Sequence, residues 1–320
     1  MIRILSSADW HVNLHRKKIP YLWQLNRFQQ MFAQFCALEQ RCDVHVIAGD
    51  LFDKEPDADE ICLVLSYLNT VQIPTLIIPG NHEATTKGRT FWEHFKLENT
   101  INNPNVHIYT ENANTVHAGQ RFCLFPYGSV QTNKLPDYYE DAILVTHIRG
   151  EVPPHITAEY DFEKIRPWKL TLLGDLHFRH RYNDYNCYYP GSPLNTTFDR
   201  DDKRNYGVDI ITLRSIDDYN VDFYNLNLPK LIRRTVPVGT KMIADSYHHT
   251  VYEVTGTIDE LAKVERSDLL DKKMVDKPKG DSVLDLKDKT VIEELEIYLN
   301  YIKVAETEVV LSEYRKLGVR

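Results

Sequence analysis

The strongest constraint on this chain is a juncture that recurs five times: a short apolar segment stops, and an Asp, Asn or His follows at once. Residues 2–5 lead to Asp9-Trp10-His11, residues 44–48 to Gly49-Asp50-Leu51-Phe52-Asp53, and residues 75–78 to Gly80-Asn81-His82-Glu83. Residues 142–146 lead to His147, and residues 170–173 to Gly174-Asp175-Leu176-His177. Helical patterns separate the first three segments. Over residues 21–40, Leu22, Leu25, Phe28, Phe32 and Phe35 fall at spacings of three and four; over 57–70, Ile61, Leu65 and Leu68 share a face. Strand, helix, strand, helix, strand is the order of parallel pairing through helical crossovers. The apolar runs 121–126, 142–146, 170–173 and 208–213 have shorter intervening segments, which predicts a second sheet packed on the first.

Composition narrows the remaining classes. Of 320 residues, 42% are hydrophobic and 11% aromatic, enough for a sizeable core and against a mostly disordered chain. No run nears the roughly eighteen apolar residues of a membrane span, and the apolar start turns polar too early for a secretory leader. The five cysteines (Cys36, Cys42, Cys62, Cys123, Cys187) are odd in number and form no CxxC pair, so reduced thiols and a cytoplasmic location are expected. Lys and Arg total 38 against 46 Asp and Glu, a net charge of −8, which disfavours a protein that holds nucleic acid by overall charge alone. There is no GxxxxGK[ST] loop, so ATP binding of that kind is not expected.

The pattern changes near residue 231. Residues 250–255 read as a strand, 258–264 as a short helix, and 272–280, with Pro278 and Gly280, as a linker. Residues 281–317 lack Gly and Pro; Val291, Leu295, Tyr298, Leu299 and Ile302 mark an apolar helical face, continued by Val310, Tyr314 and Leu317. Such a tail either folds back on the body or needs a hydrophobic partner surface.

Loops at strand ends of an open α/β sheet converge on one crevice, where such folds bind ligands. Asp, His and Asn at these ends offer hard, mixed oxygen and nitrogen donors, suited to Mn²⁺, Mg²⁺, Fe or Zn²⁺ and not to a thiolate site. A carboxylate such as Asp50 is able to bridge two ions. Ions roughly 3.5–4 Å apart stabilise both the attacking and the leaving oxygen of a phosphoryl displacement. Singly, each residue is more often a turn former, a helix cap or a hydrogen-bonded histidine. Their order, each at a strand end, makes coincidence a poor account.

The series D-x-H, G-D-x-x-D, G-N-H-E, a lone His, then G-x-x-H, from Asp9 to His177, resembles that of the calcineurin-like metallophosphoesterases. With Tyr189-Pro190-Gly191-Ser192-Pro193 and then Gly207, the chain looks like the SbcD-type DNA double-strand-break repair nucleases, including their phage relatives. The resemblance implies an α/β, calcineurin-like four-layer αββα sandwich with a small α/β capping domain and C-terminal helices. The nuclease domain would span 1–230, the capping and DNA-binding domain 231–280, and a helical partner-binding segment 281–320. The implied cofactors are two divalent ions, Mn²⁺ foremost and Mg²⁺ as the alternative. One would be held by Asp9, His11, Asp50 and His177, the other by Asp50, Asn81, His147 and the residue at 175. His82 matches a histidine that does not ligate and protonates the leaving oxygen. The family's last motif is usually G-H-x-H, and here Asp175 stands for the first imidazole. Either Asp175 gives an oxygen to the second ion, favouring Mn²⁺ or Mg²⁺, or it does not ligate and that position is weak.

The same resemblance implies hydrolysis of DNA phosphodiesters by metal-activated water, as exonuclease or endonuclease, in recombination and repair. It implies double-stranded DNA ends and an SbcC-like coiled-coil ATPase as partners, the latter through the C-terminal helices. It leaves a homodimer open, and it implies the cytoplasm, or the host cytoplasm for a viral protein. Basic clusters after the motifs, namely Arg16, Lys17 and Lys18, then Lys87 and Arg89, then Arg179 and Arg181, are candidate DNA contacts; the alternative is ordinary surface charge. Tyr182, Tyr185, Tyr188 and Tyr189 either stack on bases or pack. Asp53 and Glu83 either support the ligands or are solvated loop acids. Two rival functions remain: a small-molecule or protein phosphatase on the same scaffold, and a catalytically weakened DNA-end-binding subunit, suggested by Asp175.

Overall fold

The computed structural model describes residues 1–84, 90–129, 139–152, 156–200, 203–275, 284, 286 and 289–316. The chain forms two compact units: Met1–Val254 with Glu265–Lys273, and Thr255–Val264 with Met274–Arg320.

In the first unit, β1 (Ile2–Ser7), α1 (Tyr21–Glu39), β2 (Val44–Ala48), α2 (Ala58–Leu68) and β3 (Thr75–Ile78) follow the expected order. After α3 (Phe91–His94) comes β4 (Val106–Ile108), and β1 to β4 pair in parallel. The second sheet contains β5 (Ala113–His117), β6 (Gln120–Phe125), β7 (Ala142–His147), β8 (Thr171–Gly174), β9 (His180–Tyr182) and β10 (Cys187–Tyr189), in the order β5-β6-β7-β8-β10-β9. Within it β6, β7, β8 and β10 are parallel. β11 (Gly207–Ser215) and β12 (Asp218–Asn225) then return to the first sheet, where β11 lies antiparallel on β1 with Ile4 opposite Ile211. The run 208–213 therefore does not extend the second sheet. An apolar run carries no label for the sheet edge it will join.

β13 (Leu231–Pro237), β14 (His249–Gly256) and β15 (Leu270–Val275) form a separate three-stranded sheet. Residues 272–275, expected in a linker, belong to β15; residues 276–280 lie outside the described residues. α4 (Ile258–Ala262), α5 (Val291–Tyr301) and α6 (Thr307–Lys316) belong to the second unit.

Alternation along the strands builds the layers. Ile4, Val44, Val46, Ala48, Leu76 and Ile78 point between the sheets, against Phe122, Leu124, Ile143, Val145 and Leu172. Leu5, Ile47 and Ile77 point outward under α1 and α2, against Phe28, Phe32, Phe35 and Val64. Each fully buried side chain of this size contributes about 1.5–3 kcal/mol. Leu22, expected on the buried stripe of α1, is 74% exposed. Tyr160, Phe162, Ile165 and Trp168 cover the outer face of the second sheet. Among the described residues, that fourth layer is thus a short 3₁₀ turn (Phe162–Lys164) and its flanking segments. The architecture is the αββα sandwich.

Polar bonds hold the helices in register. The Asp57 side chain caps α2 by accepting from Asp59 and Glu60 N–H at 3.0 Å each. Buried Glu60 also accepts the Leu14 N–H at 2.8 Å, tying α2 to the loop beyond β1. Beneath the site, His45 lies between Ser7 Oγ and Glu39 Oε1, at 2.9 Å from each. That is the order of a Ser-His-acid triad. All three side chains are buried, so no substrate reaches Ser7 and the row is a structural strut.

Candidate metal centre

Parallel strands of both sheets end at one place. Asp9 and His11 follow β1, Asp50 follows β2, and Asn81 and His82 follow β3; His147 ends β7, and Asp175 and His177 follow β8. The chain turns sharply to present these groups. Asp9, His11 and Asp50 have φ of +56°, +48° and +55°, and Asp175 has +106°. Asp and His tolerate the left-handed region better than most residues, and strain of this kind is held only where surrounding bonds fix it. The strand ends also pass very close. A Cβ on Gly174 would sit 2.0 Å from the Ala48 carbonyl oxygen and 2.5 Å from His147 Nδ1, so no side chain fits there.

Three groups of donor atoms each lie within 4.8 Å of one another: Asp9, His11 and His177; Asp9, Asp50 and His147; and His11, Asp53 and His82. His11 Nε2 and His177 Nε2 face each other at 2.9 Å. Asp50 Oδ2 lies 3.6 Å from His11 Nε2 and 3.4 Å from His147 Nε2, between the first two groups. Asn81 Oδ1 is 2.8 Å from His147 Nε2, and Asp175 Oδ1 is 4.0 Å from it. Asp9, placed with one ion by family pattern, sits in both groups.

The outer ring nitrogens of His147 and His177 are engaged behind the site. His147 Nδ1 meets the Ala48 carbonyl at 2.7 Å, and His177 Nδ1 meets Thr196 Oγ1 at 3.1 Å. Such partners leave Nε2 directed inward, as in metal-ligating histidines. His82 differs. Its Nδ1 meets the Asp53 carbonyl at 2.6 Å, its backbone N–H donates to Asp50 Oδ1 at 2.9 Å, and its ring stands edge-on to His11. Glu83 is fully buried and accepts three backbone N–H groups, from Asp50 (2.9 Å), Gly80 (2.8 Å) and Phe52 (2.8 Å). Asp53 accepts from Asn13 at 2.7 Å and Arg16 at 3.2 Å. Ser192 of the Tyr-Pro-Gly-Ser-Pro segment bonds the Asp9 carbonyl through its hydroxyl and the His177 carbonyl through its N–H.

The electrostatics ask for a cation. Burial raises the Asp9 carboxyl well above its ordinary value; His147 pulls the other way, while Asp50 and Asp175 add like charge. Burial also acts to raise Asp50, but His147 and His11 hold it below the ordinary carboxylate range. Burial opposes charge on His147, yet Asp50 and Asp9 push its pKa up to about 10. Burial and neighbouring His11 bring His177 down to about 4, leaving it a neutral imidazole. A proton on His147 thus serves as counter-charge in a buried cluster of acids, a role a divalent ion fills better. The residues present fit oxygen- and nitrogen-ligated divalent ions.

Residues 2–224 match the calcineurin-like phosphoesterase family. The chain belongs to that family. It is also 32% identical over 310 residues to a protein of Escherichia phage T5 named "Probable exonuclease subunit 1", covering 94% of this chain and 93% of that one. Among solved structures, a Thermus thermophilus protein is 14% identical, with 71% of this chain and 99% of that chain covered and a TM-score of 0.46. A purple acid phosphatase from yellow lupin seeds is 12% identical, with 72% and 52% covered and a TM-score of 0.43. The resemblance read from the motifs, to this superfamily and to its phage relatives, is confirmed.

This calcineurin-like phosphoesterase opens a cleft of about 350 Å³ onto Asp50, Asn81, His82, Asp175 and His177. The basic residues named from sequence scatter. Arg16 bonds Asp53, Lys17 is exposed, and Lys18 pairs with Asp271. Arg179 pairs with Asp209 at 2.9 Å, and Arg181 lies over the Tyr188 ring. Lys87 and Arg89 lie outside the described residues. Tyr188 and Tyr189 are buried, and Tyr182 and Tyr185 pack on Phe162. Sequence reading missed Arg149, which lines the cleft and grips Asp175 with two hydrogen bonds. The available signal was a carboxylate in an imidazole's position, which calls for a nearby cation.

Proposed function

We propose that this phosphoesterase is a two-metal DNA nuclease, the nuclease subunit of an SbcC/SbcD-like complex that processes double-stranded DNA ends. The likeness that carries this reading is to the phage T5 protein, because it covers 94% of this chain, more than the family domain at residues 2–224. We assign Asp9, His11, Asp50 and His177 to one ion, and Asp50, Asn81, His147 and Asp175 to the other. Mn²⁺ is the ion proposed, since the second ion's assigned ligands Asp50, Asn81 and Asp175 give oxygen and only His147 gives nitrogen. When bound, the pair supplies Lewis-acid activation of water and neutralises charge on the phosphoryl group.

The chain's own residues do the rest. Asp50 Oδ2, 3.6 Å from His11 and 3.4 Å from His147, holds the two halves of the site together. Glu83 fixes the turn that carries Asp50. His82, with Nδ1 occupied by the Asp53 carbonyl, presents Nε2 as proton donor to the departing 3′-oxygen. Residues 231–280 act as the capping and DNA-binding domain. Residues 281–320 dock on the coiled-coil ATPase, a role suited to the exposed Val291, Tyr298, Ile302, Val309 and Val310. The setting proposed is the cytoplasm in which DNA ends are processed, that of the host for a phage protein.

The test is Mn²⁺-dependent release of label from linear double-stranded DNA, with nitrophenyl phosphate as comparison. Cleavage of the DNA, lost on chelation, supports the nuclease. Turnover of the monoester with intact DNA would support the phosphatase instead.

A further inference from the structure

Among the described residues, the side chain that holds Asp175 is that of Arg149. Arg149 Nε donates to Asp175 Oδ2 at 2.9 Å, and an Arg149 terminal nitrogen donates to Oδ1 at 3.2 Å. The longer bond falls on Oδ1, the oxygen that faces His147 Nε2 at 4.0 Å. The Asp175 backbone is fixed as well, its N–H donating to Asp9 Oδ1 at 3.1 Å. Arg149 extends from the loop after β7, two residues beyond His147, and its other terminal nitrogen lies 3.6 Å from Glu159.

A carboxylate differs from the imidazole it replaces in two respects. It adds a negative charge, and its oxygens swing freely about the Cβ–Cγ bond. A planar guanidinium answers both, because a two-bond fork fixes the carboxylate plane and brings a positive charge that does not titrate. A carboxylate oxygen has two lone pairs, so Oδ1 is able to accept from Arg149 and still face an ion.

We propose that Arg149 is a positioning residue for the second ion: it fixes Asp175 with Oδ1 toward His147 and Asn81 and offsets the carboxylate's added charge, so that the Arg149–Asp175 pair takes the place of one imidazole. This rests on the assignment of Asp175 to the second ion. The alternative is a purely structural tether from the β7 loop to Asp175 and Glu159.

The experiment titrates the metal-free full chain with Mn²⁺ alone and reads the number of ions and each affinity by calorimetry. Arg149→Ala should weaken the second ion about 10–100-fold, the range typical of residues that orient ligands, and keep the first ion's affinity, which also reports an intact fold. Arg149→Lys, with the charge but not the fork, should fall between native and Arg149→Ala. In an Asp175→His background, Arg149→Ala should change the second ion's affinity less than about twofold, since imidazole needs neither service. Native or tighter second-ion binding in Arg149→Ala would overturn the proposal, as would an equal loss in the Asp175→His background. If Arg149→Ala does not fold, native second-ion affinity in Arg149→Lys would overturn the fork. Two ions at native affinity in Asp175→Ala would instead remove the assignment on which the proposal rests.

Discussion

His82 stands among the candidate ligands but is proposed as the proton donor. Its Nδ1 is taken by the Asp53 carbonyl, and its neighbour Asn81 faces His147. A DNA 3′-oxygen leaves poorly unless protonated, whereas nitrophenolate leaves as a stable anion. His82→Ala should keep both ions, lose about 10²–10⁴-fold on DNA, and lose far less on a nitrophenyl phosphodiester. Equal losses on both substrates would point to charge stabilisation, and loss of an ion would make His82 a ligand. The site's protons carry a second expectation. In the metal-free chain, burial and then Asp50 push Glu83 up to about 7, and Asp50 and Asp9 outweigh burial to push His147 up to about 10. Both values are raised, so their stabilising contribution is complete below the ordinary pKa values and is lost as pH rises through 7 and then 10. Divalent ions take over from those protons. The Tm difference between Mn²⁺-loaded and chelator-treated protein should therefore widen from pH 6 to pH 9; a constant difference would contradict this charge balance. At this scale the sequence picked out the candidate ligands by residue type and order. It did not reveal Arg149, or that Glu83 accepts three backbone N–H groups, because both depend on loops meeting across the fold.

The strand end is the element that makes the site. Gly49, Gly80 and Gly174 let β2, β3 and β8 finish within touching distance, and His147 threads between them. Gly174→Ala sets a Cβ against the Ala48 carbonyl, the acceptor for His147 Nδ1. Overpacking plus the strained hydrogen bond should cost about 2–4 kcal/mol, and the second ion should weaken more than the first. A variant with native Tm and native metal content would show that the close approach is not required. β1 to β3 with α1 and α2 were legible because helix and strand periods alternate cleanly there. Placing β11 beside β1, and 272–275 in β15, depended on pairing between distant segments, for which the local pattern has no signature. The exposure of Leu22 has the same origin: spacing marks a stripe but not how far the neighbouring layer reaches.

For the whole molecule, the proposed function divides between a body with its own cores and a helical tail. α5 and α6 bury Leu299 and Leu311 and leave Val291, Tyr298, Val309 and Val310 exposed. Removing residues 281–320 should leave a folded chain that still binds two ions but no longer co-purifies with the proposed coiled-coil ATPase partner. Unfolding on truncation, or retained co-purification, would contradict the tail's proposed role. The proposed two-ion centre depends on a single shared carboxylate, that of Asp50. The most direct measurement counts bound Mn²⁺ in Asp50→Ala by elemental analysis and assays the same sample on end-labelled double-stranded DNA. The expected result is fewer than two ions per chain and no detectable cleavage under conditions where the native chain holds two and cuts. Two ions with native cleavage in Asp50→Ala would contradict the shared centre.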